Sequence, residues 1–459
     1  MQYNMDMTLR DLMSDDRCVA ILDRFLPGVS EKLRANPMGR TLSLRMVAQF
    51  TQGMISEESL QSIDAELQRL NDGSLTPREQ EKVARYRALL EADRKAQATE
   101  KPENGGQKAI YPGKPWLDTA GKRIQAHGGA VLFEDGWYYW YGENKEHTDG
   151  ENGIWSWGIR CYRSKDLMNW QDLGMIIEPD VENPDANLFP DKHVDRPHII
   201  RSRATGKFVC WIKLSGVSSC FAVLAADAVT GPYELIRENY RPFGYQVGDF
   251  DLHVDEKSGK AYLYETGNHD GVYGFELSDD CCEAVRQISL QYEGLEPPLT
   301  REGVAVFEAQ GKKYMFTSGM TGYLPNPSDC AVTPSWEQSF RSLGDPHVAD
   351  ESHASFNSQI SKVFPVQGKY LYIAMADRWV PDTLLDATLV DKIGRVIGSS
   401  GHPEKYAVTS EERQEVMAIR AMDDTRQNTS LSDYVWLPVC FEGEKATIRW
   451  MDSWNLEDC

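Results

Sequence analysis

Residues 130–141, Ala-Val-Leu-Phe-Glu-Asp-Gly-Trp-Tyr-Tyr-Trp-Tyr, place an apolar run on each side of Asp135-Gly136. Glycine adopts the positive φ that a tight hairpin turn needs, and aromatic or β-branched residues favour half-buried strands. This stretch therefore predicts a β-hairpin. Four more signals of the same kind follow along the chain: Thr205-Gly206-Lys207, Ser258-Gly259-Lys260, Gln310-Gly311-Lys312 and Gln367-Gly368-Lys369.

The spacing of these turns predicts the architecture. Successive turn glycines are 52 to 70 residues apart, and a repeat of this length made of strands is typical of a β-propeller. The sequence thus predicts a mainly β fold with a five-bladed β-propeller. Residues that occupy the same position in each repeat would converge on the central axis of the propeller. The positions nine to eleven residues before the turn glycines hold His127, Asp195, Asp249, Glu302 and Gln359. We interpret this ring of polar residues as the candidate site.

The first part of the chain has a different pattern and predicts a small N-terminal α-helical domain over residues 1–97. Apolar residues recur at helical spacing after Ser14 and after Ser56, and Thr76-Pro77 is a typical helix start. Residues 98–111 are polar, contain Pro and Gly, and predict a linker. Residues 112–459 would then form the propeller domain.

The end of the propeller domain departs from the regular repeat. An insertion at about 381–430 is expected to carry a helix over residues 411–422, as a lid or an oligomer contact. The strands Tyr434-Val-Trp-Leu-Pro-Val and Ala446-Thr-Ile-Arg-Trp-Met are expected to close the ring by joining the first blade.

Composition limits the partners. The formal net charge of −21 argues against nucleic acid and against an anionic membrane surface. The start of the chain lacks a basic segment followed by an apolar run, and the nine cysteines contain no CxxC pair. We therefore expect a cytoplasmic protein with reduced thiols, no cofactor and no required metal. The helical domain or the insertion could mediate homo-oligomerisation.

The ring residues fit acid–base chemistry on a glycosidic bond. An inverting glycosidase needs a carboxylic acid that protonates the leaving oxygen and a base that activates water. Glu302 begins an apolar strand, where a carboxylate is costly unless it is partnered, so either catalysis or an ion pair with Arg301 or Arg196 would explain it. The same alternatives hold for Asp195. An Asx-turn remains open for Asp249, and a packed core position for His127.

Exposed aromatic side chains are a second candidate feature. Trp155, Trp157 and Tyr323 are expected to stack on sugar rings, although most tryptophans of the chain should lie in the core.

Several motifs in order along the chain carry a resemblance to a known family. They are Ile124-Gln-Ala-His-Gly-Gly, Trp137-Tyr-Tyr-Trp-Tyr-Gly-Glu-Asn-Lys, Ser164-Lys-Asp-Leu-Met-Asn-Trp, Asp195-Arg-Pro-His, Arg301-Glu-Gly-Val-Ala-Val-Phe, Thr317-Ser-Gly-Met-Thr-Gly-Tyr, Asn357-Ser-Gln, Asp377-Arg-Trp and Tyr434-Val-Trp-Leu-Pro. Over roughly residues 112–456 the chain resembles glycoside hydrolase family 43, most closely its exo-β-1,3-galactanase branch. The five-bladed propeller of that family agrees with the count of five turns.

The resemblance implies roles for individual residues. It implies that Glu302 is the general acid, and that Gln359 stands in for the missing aspartate base as an imidic tautomer. It implies that Asp195 tunes the pKa of the acid, with the role of base as an alternative. The implied substrate-binding residues are His127, Glu143, Arg196, Asp249, Thr321 and Trp379.

The sequence also departs from the pattern of that branch. Asp195 replaces the usual glutamate, Gly303-Val304 follows Glu302 in place of Ala-Pro, and the segment 213–219 lacks a tyrosine expected to contact the first sugar. The resemblance implies an exo-acting, inverting glycoside hydrolase that releases a terminal sugar, with galactose expected first, from short β-1,3-linked galactosides or related oligosaccharides. The expected partner is accordingly an oligosaccharide or small glycoside. The alternatives are an α-L-arabinofuranosidase or β-xylosidase, and a glycan-binding propeller without turnover.

Overall fold

The computed structural model describes residues 2–35, 39–50, 55–73, 75–99, 106–216, 219–267, 270–423 and 428–458. The chain divides into two compact units, one formed by residues 1–93 with 181–186 and the other by residues 94–180 with 187–459. Part of the predicted linker, residues 100–105, lies outside the described residues.

The second unit is a propeller of five sheets, antiparallel except where β17 pairs in parallel with β21, and the predicted mainly β fold is confirmed. Blade I holds β1 (His127–Glu134), β2 (Trp137–Glu143), β3 (Ile159–Ser164) and β4 (Gln171–Ile177). Blade II holds β5 (His193–Arg201), β6 (Phe208–Ser215), β7 (Cys220–Ala226) and β8 (Glu234–Tyr240). Blade III holds β9 (Phe250–Val254), β10 (Ala261–Glu265), β11 (Val272–Leu277) and β12 (Ala284–Gln291). Blade IV holds β13 (Glu302–Ala309), β14 (Lys312–Ser318), β15 (Ser328–Thr333) and β16 (Arg341–Ser342).

Blade V has five strands: β17 (His347–Val348), β18 (Gln359–Pro365), β19 (Tyr372–Arg378), β20 (Asp433–Glu442) and β21 (Lys445–Arg449). Their order in the sheet is β17-β21-β20-β19-β18. The innermost strands of the five blades are β1, β5, β9, β13 and β18, and neighbours along this series contact each other until β18 meets β1 again. All five predicted turns connect an innermost strand to the next strand of its blade.

Closure of the ring differs from the expectation. The last strands, β20 and β21, complete blade V and do not join blade I. Backbone bridges from Ile110 to Trp454 and from Lys114 to Tyr434 instead hold the segment before β1 against the end of blade V. The side chains at this seam explain why: Trp116, Trp140 and Trp436 pack with ring centroids 4.5 to 5.3 Å apart. This buried aromatic cluster stabilises the seam without a shared strand.

Two helices lie between β19 and β20, within the expected insertion. The helix α7 spans Ala387–Gly401 and α8 spans Ser410–Asp423, so the insertion holds one helix more than the sequence predicted. Asp386 caps the N-terminus of α7 by accepting a hydrogen bond from the amide of Leu389. Ile393, Val396 and Val416 form a small core between the two helices. Residues 424–427 of the insertion lie outside the described residues.

The first unit contains the helices before the propeller: α1 (Leu9–Leu12), α2 (Asp16–Phe25), α3 (Val29–Ala35), α4 (Leu44–Phe50), α5 (Glu57–Asp72) and α6 (Pro77–Thr99). The last of these continues past the boundary of the unit. Ser56 caps the fifth helix, and Gly73 ends it in the left-handed conformation. Asp15, rather than the adjacent Ser14, caps the second helix. Ile63, Leu67 and Leu22 are fully buried in the core of this unit.

Short 3₁₀ segments span Gly39–Thr41, Pro242–Gly244 and Thr429–Leu431. Each cysteine within the described residues is a free thiol. Among the described helices, none is both long and apolar enough to cross a membrane.

Candidate active site

The innermost strands bring the predicted ring together at one end of the propeller axis. Glu302 and Gln359 are the first residues of β13 and β18, Asp195 is the third residue of β5, and Asp249 directly precedes β9. Bulges interrupt the pairing near the start of β1, β5, β13 and β18. A bulge redirects the side chains beside it, which is how these strands can turn polar groups out of an apolar blade.

The backbone after three of the ring residues has an unusual conformation. The residues that follow His127, Asp195 and Glu302 have φ values of 56°, 47° and 58°. Two of them, Gly128 and Gly303, are glycines, but the third is Arg196, a non-glycine residue held in the left-handed region. Such strain persists only where the surroundings impose it, and it is concentrated at functional sites.

Arg196 links four blades through its backbone and its guanidinium. Its amide donates to Glu143 Oε1 at 2.8 Å, its Nε lies 2.9 Å from Asp249 Oδ2, and one terminal nitrogen donates to Gln359 Oε1 at 2.5 Å. The other terminal nitrogen is buried and has no partner among the described residues. Arg196 therefore fixes the relative positions of these ring residues while one of its donors stays unused by the described residues.

Glu302 and Asp249 are two carboxyl groups with opposite pKa shifts. Burial, and next the charge of Asp249, raise the pKa of Glu302 to about 8. Burial opposes ionisation of Asp249 as well, but Arg196 and Lys213 hold its pKa well below the usual range. Lys213 Nζ lies 2.8 Å from Asp249 Oδ1, and the amide of Gly303 donates to Asp249 Oδ2 at 3.0 Å. These opposite shifts favour a protonated Glu302 beside an ionised Asp249 at neutral pH.

Asp195 is held as a carboxylate on the blade II side of the ring. Its Oδ1 accepts from Trp155 Nε1 at 3.0 Å and its Oδ2 accepts from Ser215 Oγ at 2.5 Å. Lys213 Nζ lies 4.0 Å from the same Oδ2. Although burial opposes it, Lys213, Lys145 and the Ser215 hydrogen bond lower the pKa of Asp195.

Gln359 has a fully oriented side-chain amide. Its Oε1 accepts from Arg196 and, at 3.3 Å, from Trp379 Nε1, while its Nε2 donates to Ser318 Oγ at 3.0 Å. Arg and Trp nitrogens only donate, so the atom that faces them must be the carbonyl oxygen. An imidic tautomer would place a hydrogen on that oxygen, against two donors. The contacts favour the amide form of Gln359.

Four aromatic rings form one wall of the site. Trp155 stacks on His193 with centroids 3.7 Å apart, and Tyr323 lies 6.1 Å from Trp155 and 5.4 Å from Trp379. Trp155 and Tyr323 are partly exposed, as a sugar platform requires. Trp157 was expected to belong to this set, but it is fully buried and packs edge-on against His147.

Glu143 lies directly behind Arg196, in a buried pair with Lys145. Lys145 Nζ is 2.9 Å from Glu143 Oε2 and also donates to the backbone oxygen of Trp155 at 2.8 Å. Burial, together with the charge of Asp195, raises the pKa of Glu143 to about 7. A side chain on Gly128 would meet Glu143 Oε1 at 2.5 Å, so this carboxyl group occupies space that only a glycine at 128 leaves open.

Two of the predicted substrate-binding residues are enclosed by protein atoms. His127 is fully buried, with Nδ1 3.0 Å from Asp377 Oδ1 and its ring stacked on Tyr434. Burial lowers the pKa of His127, which favours the neutral ring. The hydroxyl of Thr321 donates to the backbone oxygen of Leu324 at 2.5 Å and so shapes its own loop.

The site also contains Lys213, Lys145, Ser318 and Asp377, which are not among the residues predicted from the sequence. Asp377 lines the cleft beside Gln359 and accepts hydrogen bonds from His127 and from the amide of Gly128. Lys213 pairs with Asp195 across β5 and β6. A signal for Lys213 was present, since a lysine within the apolar strand Phe208–Ser215 requires a buried carboxylate partner.

Within the described ranges, no group of three or more His, Cys, Asp or Glu side chains is arranged to hold a metal ion. The charged groups of the ring are instead neutralised by one another.

Comparison with known proteins gives a consistent picture. The sequence profile of glycosyl hydrolases family 43 matches residues 129–368. A family 43 β-1,3-galactosidase, BT0265, is 28% identical with a TM-score of 0.61, and the similarity covers 77% of this chain and 64% of that chain. A second β-1,3-galactosidase of the family, BT3683 with galactodeoxynojirimycin, is 26% identical with a TM-score of 0.58, covering 76% of this chain and 100% of that one.

An exo-β-1,3-galactanase from Phanerochaete chrysosporium with galactose has the same fold at 22% identity and a TM-score of 0.59, covering 76% of this chain and 68% of that chain. The chain thus spans about two thirds of the length of two of these three proteins. No curated protein sequence matches it.

Proposed function

The chain belongs to glycosyl hydrolases family 43 and is a glycoside hydrolase, and on this premise we propose that it releases terminal galactose from short β-1,3-linked galactosides. The proposed reaction is exo-acting and inverts the anomeric configuration. Two similar structures at 26% and 28% identity are β-1,3-galactosidases, which supports this choice of sugar and linkage.

The observation that carries the proposal is the pair Glu302 and Asp249. Burial and Asp249 raise the pKa of Glu302 to about 8, so its carboxyl group is protonated at neutral pH. A glycosidase acid must be protonated when the substrate binds and must release its proton as the bond breaks. We assign Glu302 this role. Asp249, held by Arg196 and Lys213, keeps the charge that maintains the high pKa of Glu302.

The remaining ring residues suit recognition of a sugar. Arg196 has a buried nitrogen without a partner among the described residues, and Trp155, Tyr323 and Trp379 provide apolar ring faces beside it. We propose that Arg196, Asp249, Glu143 and Trp379 bind the terminal sugar. His127 and Thr321 support these groups from behind, since both are buried and hydrogen-bonded within the protein.

We propose that Gln359 lies on the side of the attacking water, with Asp195 as the alternative base. In the amide form, which the hydrogen bonds from Arg196 and Trp379 favour, Gln359 can orient a water molecule. To take a proton from that water, Gln359 would have to be the imidic tautomer, which these two donors oppose. Asp195 is ionised, but its lowered pKa makes it a weak base.

The first experiment is hydrolysis of β-1,3-galactobiose, aryl β-galactoside, aryl α-L-arabinofuranoside and aryl β-xyloside by the wild type and Glu302→Gln. We expect cleavage of the galactosides, product of inverted configuration by NMR, and a loss of about 10²- to 10⁴-fold in the variant. Retained configuration would contradict the mechanism.

A specific departure favours a second candidate function. The segment 213–219 lacks the tyrosine of the galactanase branch, although residues 217 and 218 lie outside the described residues. Cleavage of only the arabinofuranoside or the xyloside would identify an α-L-arabinofuranosidase or β-xylosidase. Binding of oligosaccharide without any cleavage would identify a glycan-binding propeller.

A further inference from the structure

Arg301 is a buried arginine outside the ring of site residues. Only 8% of its surface is exposed, and no ion pair or hydrogen bond joins its guanidinium to any residue in the part of the chain that the structure describes. Its Nε is buried without a partner, and its guanidinium carbon lies 5.8 Å from the ring centroid of Tyr292. A buried guanidinium nitrogen without a hydrogen-bond acceptor is costly, so its presence here requires an explanation.

The guanidinium lines a cavity of about 290 Å³ between blade IV and the helix α7. Pro298, Leu299 and Gly319 form its blade side, and Val390, Ile393 and Gly394 form its helix side. Leu299 is 54% exposed, which places the cavity next to solvent. A volume near 300 Å³ is at the small end of the range for small-molecule sites.

The carboxylates that line the cavity are committed to other groups. Asp329 accepts from Tyr292 and Ser342 at 2.5 and 2.7 Å, and also from the amide of Gly344. Asp345 accepts from both the backbone and the ring of His347. Neither lies within ion-pair distance of Arg301. The cavity therefore contains a guanidinium that Asp329 influences only at a distance, and with which no described carboxylate forms an ion pair.

We propose that this cavity binds a small oxyanion, a carboxylate or a phosphate, through the guanidinium of Arg301. The planar fork of arginine matches such groups with two parallel hydrogen bonds. This site is separate from the proposed hydrolysis, and binding can be measured whether or not any glycoside is cleaved.

The proposed site adjoins the proposed acid. Arg301 directly precedes Glu302, and its positive charge is one of the groups that lower the pKa of Glu302, while Tyr292 and Asp329 face Arg301 from the other side. An anion on Arg301 would offset this charge. Occupancy should consequently move the basic limb of the activity profile to higher pH, which a purely structural arginine would not do.

The test measures saturable thermal stabilisation and calorimetric binding with inorganic phosphate and with glucuronate, using galactose as the neutral control. We expect at least one of the two anions to bind, with a loss of about tenfold or more in Arg301→Met. Binding of phosphate alone would indicate a free inorganic anion, and binding of glucuronate alone an acidic sugar. No binding of either anion to the wild type would overturn the proposal.

Variants of Gly394 keep the test decisive if Arg301→Met does not fold. A Cβ atom at 394 would meet only Pro298 Cγ, at an ordinary 3.6 Å, so Gly394→Ala should retain binding while the longer side chain of Gly394→Leu fills the cavity and abolishes it. Arg341→Met removes an exposed arginine of the same blade and serves as the charge control. Equal anion binding in Gly394→Leu and wild type would place the anion elsewhere, for example on Arg196, and would overturn the proposal.

Discussion

Glu302 and Asp249 show how the same functional group acquires two roles from its surroundings. Asp249 is held by Arg196 and Lys213, whereas the pKa of Glu302 is governed chiefly by burial and by the charge of Asp249. Because the raised pKa belongs to the protonated acid, activity should be present below pH 8 and decline as the pH rises through about 8. This sign is opposite to that of a group required as a carboxylate.

Removal of the Lys213 charge should change the pH at which activity declines on the alkaline side, which is the basic limb of the pH profile. Lys213 lowers the pKa of Glu302 directly, and it also neutralises Asp249, so Lys213→Met should shift the limb upward by about one pH unit. The measurement is kcat/KM against pH on the substrate identified by the panel. Lys207→Met, which removes an exposed lysine just before the same strand, is the control. An unchanged or lowered limb in Lys213→Met would contradict the assigned electrostatics.

Gln359 provides a second test at the residue scale. Its carbonyl oxygen accepts from Arg196 and Trp379, and a carboxylate at the same position could accept both hydrogen bonds without any tautomer. We expect Gln359→Ala to lose about 10²-fold or more in kcat, and Gln359→Glu to retain or exceed the wild-type value. Near-normal turnover in Gln359→Ala, combined with a large loss in Asp195→Asn, would instead identify Asp195 as the base.

At the scale of elements, one carboxylate joins four of the five innermost strands. Asp251 on β9 contacts His198 on β5 at 3.0 Å and Lys362 on β18 at 2.6 Å, and it accepts from the amide of Val306 on β13 at 2.8 Å. Asp251 is fully buried, and despite that burial Lys362 and His198 lower its pKa. The stability it contributes is therefore present at neutral pH and is lost only as the pH falls below its ordinary range near 4.

Breaking this junction should destabilise the propeller as a whole. Asp251→Asn removes the carboxylate that pairs with the buried ammonium of Lys362. We expect the unfolding free energy to fall by about 3–5 kcal/mol. The measurement is denaturant unfolding followed by tryptophan fluorescence. The double variant Asp251→Leu/Lys362→Met should lose less than the sum of its single variants, because it removes both charges together. Additive losses would show that the two residues act independently.

The whole molecule shows which features a sequence reveals and which it conceals. The turn at Asp135-Gly136 and its four counterparts are local signals, so they predicted all five blades. The seam is set by Trp116 packing against Trp436, a contact between distant parts of the chain that no local pattern specifies. The helix α7 is not predicted, because its segment stands out in the sequence only as an interruption of the strand pattern, although Asp386 caps it and apolar residues follow at helical spacing.

The candidate site divides in the same way. The sequence predicts which residues form the ring, because each of them lies at a similar distance before a recognisable turn. The sequence does not predict the partners that set the charge states of the ring residues, because these partners come from other blades. Lys213, for example, contacts Asp249 from a strand of the neighbouring blade. Trp155 and Trp157 are two residues apart, and nothing in the local sequence distinguishes them. Only the fold shows that Trp157 is buried and Trp155 is partly exposed.

The two compact units have separate cores, which leads to a prediction for the complete chain. Leu67 is fully buried in the core of the helical unit, and all 12 tryptophans lie at or after residue 116, outside that unit. Leu67→Ala should destabilise the helical unit by about 2–5 kcal/mol.

Unfolding of the helical unit, followed by circular dichroism at helical wavelengths, should shift to lower denaturant concentration in Leu67→Ala, while tryptophan fluorescence and glycoside hydrolysis remain unchanged. Leu263→Ala, at a fully buried position of β10, should produce the reverse pattern. If both probes shift together in Leu67→Ala, the two units unfold as one, and the helical domain contributes directly to the stability of the propeller.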